Sequence, residues 1–130
     1  MKRTQGFTLI ELLVVLAILG MLAALVGPAL FSNLGKGQRT TAAAQIDNLG
    51  AALDNYRLDL NRYPDTLEAL MENTTGSSAW TGPYLRGNLP QDPWGNDYVY
   101  EPDGRTYTLM SYGADGAPGG EGDDADIGDK

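Results

Sequence analysis

Gly6-Phe7-Thr8-Leu9-Ile10-Glu11, followed by LLVVLAILGMLAALVGPALF over residues 12–31, decides how this chain is organised. No residue from Leu12 to Phe31 carries a charge. Twenty residues at about 1.5 Å per helical residue span the ~30 Å of a bilayer's hydrocarbon core. Glu11 stands at the head of that run. A carboxylate costs about 2.5–3.5 kcal/mol at the centre of a membrane helix and less near its end. Glu11 therefore reads either as a carboxylate with an assigned partner or as a charge resting at the membrane boundary. Gly27-Pro28 should break or kink the helix locally, because proline lacks a backbone donor and clashes with the preceding turn.

Two plain readings of the N-terminus compete with an anchor whose carboxylate has an assigned partner. One is a secretory signal peptide, with Lys2 and Arg3 as its basic start. The apolar run is long for that role, a carboxylate precedes it, and Gly27-Pro28-Ala29 is a poor cleavage site. The other is an unprocessed single-pass anchor with Lys2 and Arg3 on the cytoplasmic side. Every version leaves a short tail inside and the remainder outside.

That remainder, residues 32–130, is enough for one small domain with a thin core. The chain has 130 residues and a formal net charge of −8, with neither cysteine nor histidine. Acidity without a basic patch argues against a nucleic-acid partner. Lack of cysteine removes the usual staple of small exported domains. Lack of histidine removes the commonest general base and transition-metal ligand. No serine sits in a glycine elbow or beside a paired lysine, and Asp92 and Asp97 flank a proline turn as its acceptors. Catalysis is not expected.

Ile46, Leu49, Leu53, Tyr56 and Leu60 recur at spacings of three and four, which predicts an amphipathic helix over 38–62. It should stop before Tyr63-Pro64, since a residue preceding proline disfavours the α region. Asp65 or Thr66 can cap a short helix carrying Leu67, Leu70 and Met71. Residues 73–96 form a connecting loop in which Trp80 reads as a lid over the core. Pro90, Pro93 and Gly95-Asn96 supply turn positions. Tyr98-Val99-Tyr100 and Tyr107 to Tyr112 alternate as two strands around Pro102-Asp103-Gly104-Arg105. Two strands alone are marginal, so a third strand or the helix must cover them. The expected class is α+β: a long N-terminal helix, apolar then amphipathic, on a small antiparallel sheet.

The tail reads YGADGAPGGEGDDADIGDK from Tyr112 to Lys130, with acids separated mainly by glycine and other small residues. Calcium takes six to eight oxygens at flexible spacing, and such a segment offers both carboxylates and carbonyls. A solvated acidic tail is the alternative. Gly119 to Asp124 match a single β-roll repeat unit, too little for a solenoid. The spacing of acids excludes an EF-hand.

With Lys2 and Arg3 ahead of it, the Gly6 to Glu11 segment resembles the processing site of the type IV pilin superfamily. Tyr63-Pro64, then Leu89-Pro90-Gln91-Asp92-Pro93-Trp94-Gly95-Asn96-Asp97-Tyr98, then Ser111-Tyr112-Gly113-Ala114-Asp115-Gly116, resemble in order the major pseudopilin family of type II secretion systems. The resemblance implies a leader (1–6) cut between Gly6 and Phe7 by a prepilin peptidase, with methylation of the Phe7 amine. It implies a membrane and filament-core helix (7–31), in which Glu11 pairs with the Phe7 ammonium of the next subunit and Gly27-Pro28 melts or stretches on packing. It implies a periplasmic domain (32–130) with sheet and calcium loop over 97–130. By resemblance Asp115 and Asp124 are the side-chain ligands, with carbonyls near Tyr112, Ala117 and Gly122 and with Asp123 and Asp126 in reserve. The implied product is a homopolymer that leaves the bacterial inner membrane as a periplasmic filament helping folded proteins cross the outer membrane. Minor pseudopilins, an inner-membrane assembly platform and lipid are its implied partners. A type IV pilus or minor pilin subunit, and a monomeric membrane-anchored calcium module, remain the alternatives.

Overall fold

The computed structural model describes residues 5–128. Helix α1 runs from Leu9 to Leu60. Strands β1 (Val99–Pro102), β2 (Tyr107–Ser111) and β3 (Ile127–Gly128) form one antiparallel sheet in the order β1-β2-β3. The chain divides into two compact units between Gly35 and Lys36.

In the first unit, α1 carries the uncharged run and none of its most apolar window is buried. Leu25 is 77% and Phe31 is 74% exposed. Side chains this apolar, exposed all round a helix, belong in lipid or against other apolar helices. Of the break or kink expected at Gly27-Pro28, there is no break: α1 passes through Pro28 uninterrupted. Proline removes one backbone donor, but Ala23, Ala24 and Leu25 before it and Ala29 and Leu30 after it are strong helix formers that propagate across a single missing bond.

In the second unit the amphipathic stripe lies where its spacing put it. Ile46, Leu49, Leu53 and Tyr56 are buried, Ala42 and Ala52 join them, and Leu60 packs at the edge. Leu58, off the stripe, is exposed. The helix stops at Leu60 rather than at residue 62, because Asn61 takes a left-handed φ of 60° and its N–H bonds the Arg57 carbonyl at 2.7 Å. Asparagine tolerates that conformation and closes the helix before the proline can act. The short helix is a single 3-10 turn, Leu67–Leu70. Thr66 sits at its cap position without a side-chain bond, and Leu67, Ala69 and Leu70 are buried.

Trp80 is the lid expected: its ring packs on the core and its Nε1–H donates to the Ala69 carbonyl at 2.9 Å. Strand β1 pairs with β2 from Val99 opposite Met110 to Pro102 opposite Tyr107. The third strand, which the alternation did not locate, comes from the tail: Ile127 lies opposite Ser111 and Gly128 opposite Met110. Tyr63 packs edge-on against Tyr107 of β2, and Tyr107 meets Tyr100 of β1 at a tilt of 43°. Burial raises the Tyr100 and Tyr107 hydroxyls above their ordinary pKa.

Candidate assembly helix and cation loop

Gly6 and Phe7 precede the helix and are exposed, Phe7 by 85%, so the peptide bond between them is accessible. Lys2 and Arg3 lie outside the described residues. At the start of α1, the Thr8 N–H donates to Glu11 Oε2 at 2.9 Å, and the Glu11 N–H donates to Thr8 Oγ1 at 3.3 Å. This reciprocal pair is a capping box, which satisfies two donors the first helical turn leaves open. Thr8-Leu9-Ile10-Glu11 carries the S/T-x-x-E signature of that device, a role that reading Glu11 as a partnered or a boundary carboxylate leaves out. A carboxylate has about four lone-pair sites, so one bond from Thr8 leaves Glu11 able to accept from a second donor such as an ammonium.

The other candidate site is the segment from Tyr112 to Asp126. It is a closed loop, not a free tail. The Ala114 N–H donates to the Asp123 carbonyl at 2.9 Å, β3 returns the chain to β2, and Arg39 Nη1 on α1 donates to the Ala125 carbonyl at 2.8 Å. Gly113, with φ +79°, makes this closure possible. A Cβ there would lie 2.8 Å from both the Asp123 and Ala125 carbonyl oxygens. Only glycine lets two backbone limbs approach so closely.

Within the loop, the Asp115 carboxylate accepts the Ala117 N–H at 3.2 Å and the Asp126 carboxylate accepts the Gly119 N–H at 3.1 Å. Asp123 and Asp124 lie on a 3-10 turn, Gly122–Asp124. Among the described residues no three acidic side chains converge. The ligand set implied by resemblance asks for only two, Asp115 and Asp124, with the carbonyls of Tyr112, Ala117 and Gly122. The Ala114–Asp123 bond draws the limbs bearing these residues together. The donors are all oxygen, and a hard cation of calcium's type is what such a set fits.

The loop's first residues are tied to the proline turn. Asp92, 4% exposed, accepts the Trp94 and Asn96 N–H groups on Oδ1 at 3.1 and 2.8 Å. Its Oδ2 accepts the hydroxyl of fully buried Ser111 at 2.7 Å. Asp92 is thus a turn acceptor, as its setting suggested, and Asp97 accepts the Gln91 amide at 3.1 Å. Ser111 was not singled out; polar at a buried β2 position, it was the available signal. Tyr98, beside the turn, bonds Gln45 of α1, and burial followed by the charge of Asp92 pushes its hydroxyl up to about 12.

Family models match both parts of the chain: a prokaryotic N-terminal methylation motif over residues 1–27, and type II secretion system protein G over residues 29–130. The chain belongs to the type II secretion system protein G family. The core protein G of Pseudomonas aeruginosa is 46% identical over 98% of this chain and 95% of its own length. That of Vibrio cholerae is 45% identical over 98% and 92%. The crystal structure of the major pseudopilin from enterohaemorrhagic Escherichia coli superposes with a TM-score of 0.59 at 38% identity, covering 74% of this chain and 85% of that one. This protein G family member shares the long helix and small antiparallel sheet expected of its class.

Proposed function

We propose that this chain is the major structural subunit of a type II secretion pseudopilus, polymerising through its N-terminal helix and catalysing nothing. One observation carries the reading. A wholly exposed apolar helical stretch begins immediately after an accessible Gly6–Phe7 bond and a capped carboxylate. Such a surface is stable in lipid as an anchor and in a bundle of like helices as a filament core, so the same residues serve both states. Cleavage at Gly6 frees the Phe7 amine, and Glu11 accepts it from the neighbouring subunit. Removing one partner of such a pair leaves an uncompensated charge, so the pair acts as a register device more than a source of stability. The domain from residue 32 onward faces the periplasm while the precursor waits in the inner membrane, and the assembly platform and minor pseudopilins organise its extraction. Gly27-Pro28, helical in the single chain, is the point at which α1 yields on packing.

The loop from Tyr112 to Gly122 and Asp124 holds calcium, with Asp115 and Asp124 as carboxylate ligands and the carbonyls of Tyr112, Ala117 and Gly122 beside them. Bound calcium draws the two limbs together and stiffens the domain, the task a disulfide performs in other exported proteins. Mass spectrometry of the mature chain tests the processing step. Methylated Phe7 as first residue is expected; a start near Leu30 overturns it in favour of a signal peptide.

A further inference from the structure

Ser111 is the last residue of β2, and its hydroxyl does two things at once. It donates to Asp92 Oδ2 at 2.7 Å and accepts the Gly113 N–H at 3.2 Å. That N–H shares its peptide group with the Tyr112 carbonyl. The group is planar and trans; among the described residues the cis bond is at Gly82–Pro83. In a trans peptide the carbonyl points opposite to the N–H. Fixing the Gly113 N–H on Ser111 therefore fixes the direction of the Tyr112 carbonyl. The anchor behind Ser111 is itself rigid, since Asp92 is held in the turn by two backbone N–H groups and its own N–H donates to the Asn96 carbonyl at 2.8 Å. A second link runs in parallel: a Cβ at Gly116 would lie 3.2 Å from the Asn96 amide, so turn and loop are packed together there too.

We propose that Asp92 and Ser111 are positioning residues for the cation loop, aiming the Tyr112 carbonyl through the Gly113 amide. The inference rests on the calcium reading above and names what the turn adds to it. The Asp92-Pro93-Trp94-Gly95-Asn96 turn is then more than a reversal before β1. It holds a buried acceptor at a set position, and the loop reads that position through one hydroxyl. Groups of this kind behind a metal's ligands change affinity by about 10–100-fold when removed.

The test uses the full-length chain in detergent micelles, with calcium chloride titrated calorimetrically and thermal melts recorded in excess chelator and in saturating calcium. Ser111→Ala should weaken calcium binding at least about tenfold and shrink the rise in melting temperature that calcium produces. Asp92→Ala should act in the same direction. Asp97→Ala, whose carboxylate bonds the Gln91 side chain rather than Ser111 or the loop, should bind as wild type does. A merely structural role would lower both melting temperatures together and leave the affinity unchanged, and that result overturns the proposal. Where Asp92→Ala fails to fold, Ser111→Ala alone decides. If the wild-type chain itself binds no calcium, the calcium reading falls and takes this inference with it. If wild type binds and Ser111→Ala matches it, this inference alone falls.

Discussion

Leu53→Ala and Leu58→Ala differ by five positions on one helix and should differ greatly in effect. Leu53 is fully buried between α1 and the rest of its unit, whereas Leu58 is 81% exposed. Truncating a buried leucine removes its transfer free energy and leaves a cavity, costing about 2–5 kcal/mol. Small domains have total stabilities of only about 5–15 kcal/mol. For a domain of this size each kcal/mol moves the melting temperature by about 4–8 °C, so Leu53→Ala should lower it by roughly 8–40 °C. An exposed truncation should stay within about 0.5 kcal/mol, or a few degrees. Near-ultraviolet circular dichroism reads the tyrosine and tryptophan cluster directly, because Tyr56, Tyr84 and Trp80 pack edge-on beside this face. Equal shifts for the two variants would refute the assignment of the buried face, and with it the packing of α1 on the sheet.

Thr8→Ala removes half of the capping box and should cost about 0.5–2 kcal/mol at the start of α1, read as faster amide hydrogen exchange at residues 9–12 in micelles with no change further along the helix. Asp59 accepts the Thr81 hydroxyl and, at 2.7 Å, the Tyr84 hydroxyl, and these bonds hold its carboxyl below the ordinary 3.8. A depressed folded-state pKa stabilises above the unfolded value, and that contribution is lost as pH falls through the folded value. Acid should therefore release the Thr81–Tyr84 segment from α1 only below about pH 4, seen as a change in Trp80 fluorescence that Asp59→Asn abolishes. A calcium chelator should lower the melting temperature and open the segment from Tyr112 to Asp126 to protease, and Asp124→Ala should make the chain indifferent to the chelator. An unchanged melt in both cases would return the segment to the status of solvated charge.

Where side-chain periodicity governs packing, the sequence was sufficient. The helix stripe, strands β1 and β2 and the Trp80 lid all follow from spacing and turn chemistry. It was insufficient where one residue's backbone conformation decides: Asn61 ends α1 in a left-handed turn, and nothing in the stripe marks that position. Pro28 misled in the opposite direction, since a single lost hydrogen bond does not end a helix flanked by strong helix formers. Strand β3 has two residues, too few to show alternation, and it exists because Ile127 finds a place against Ser111. In the candidate site, Glu11 was legible as a charge out of place but not as a cap, although Thr8 lies at the required spacing. Arg39 acts across 86 residues of sequence, a distance at which no local pattern gives warning, and Ser111 acts across 19, marked only by being polar at an inward position of β2.

Filament formation by a Glu11→Ala chain tests the central reading most directly. Precursor insertion and cleavage at Gly6 should proceed normally, because the apolar run and the Gly6–Phe7 bond are untouched. Sheared preparations should then contain monomer in membranes and no pelletable fibres, while wild type yields both. Fibres from Glu11→Ala in wild-type amount would contradict the pairing of that carboxylate with the amine of the next subunit.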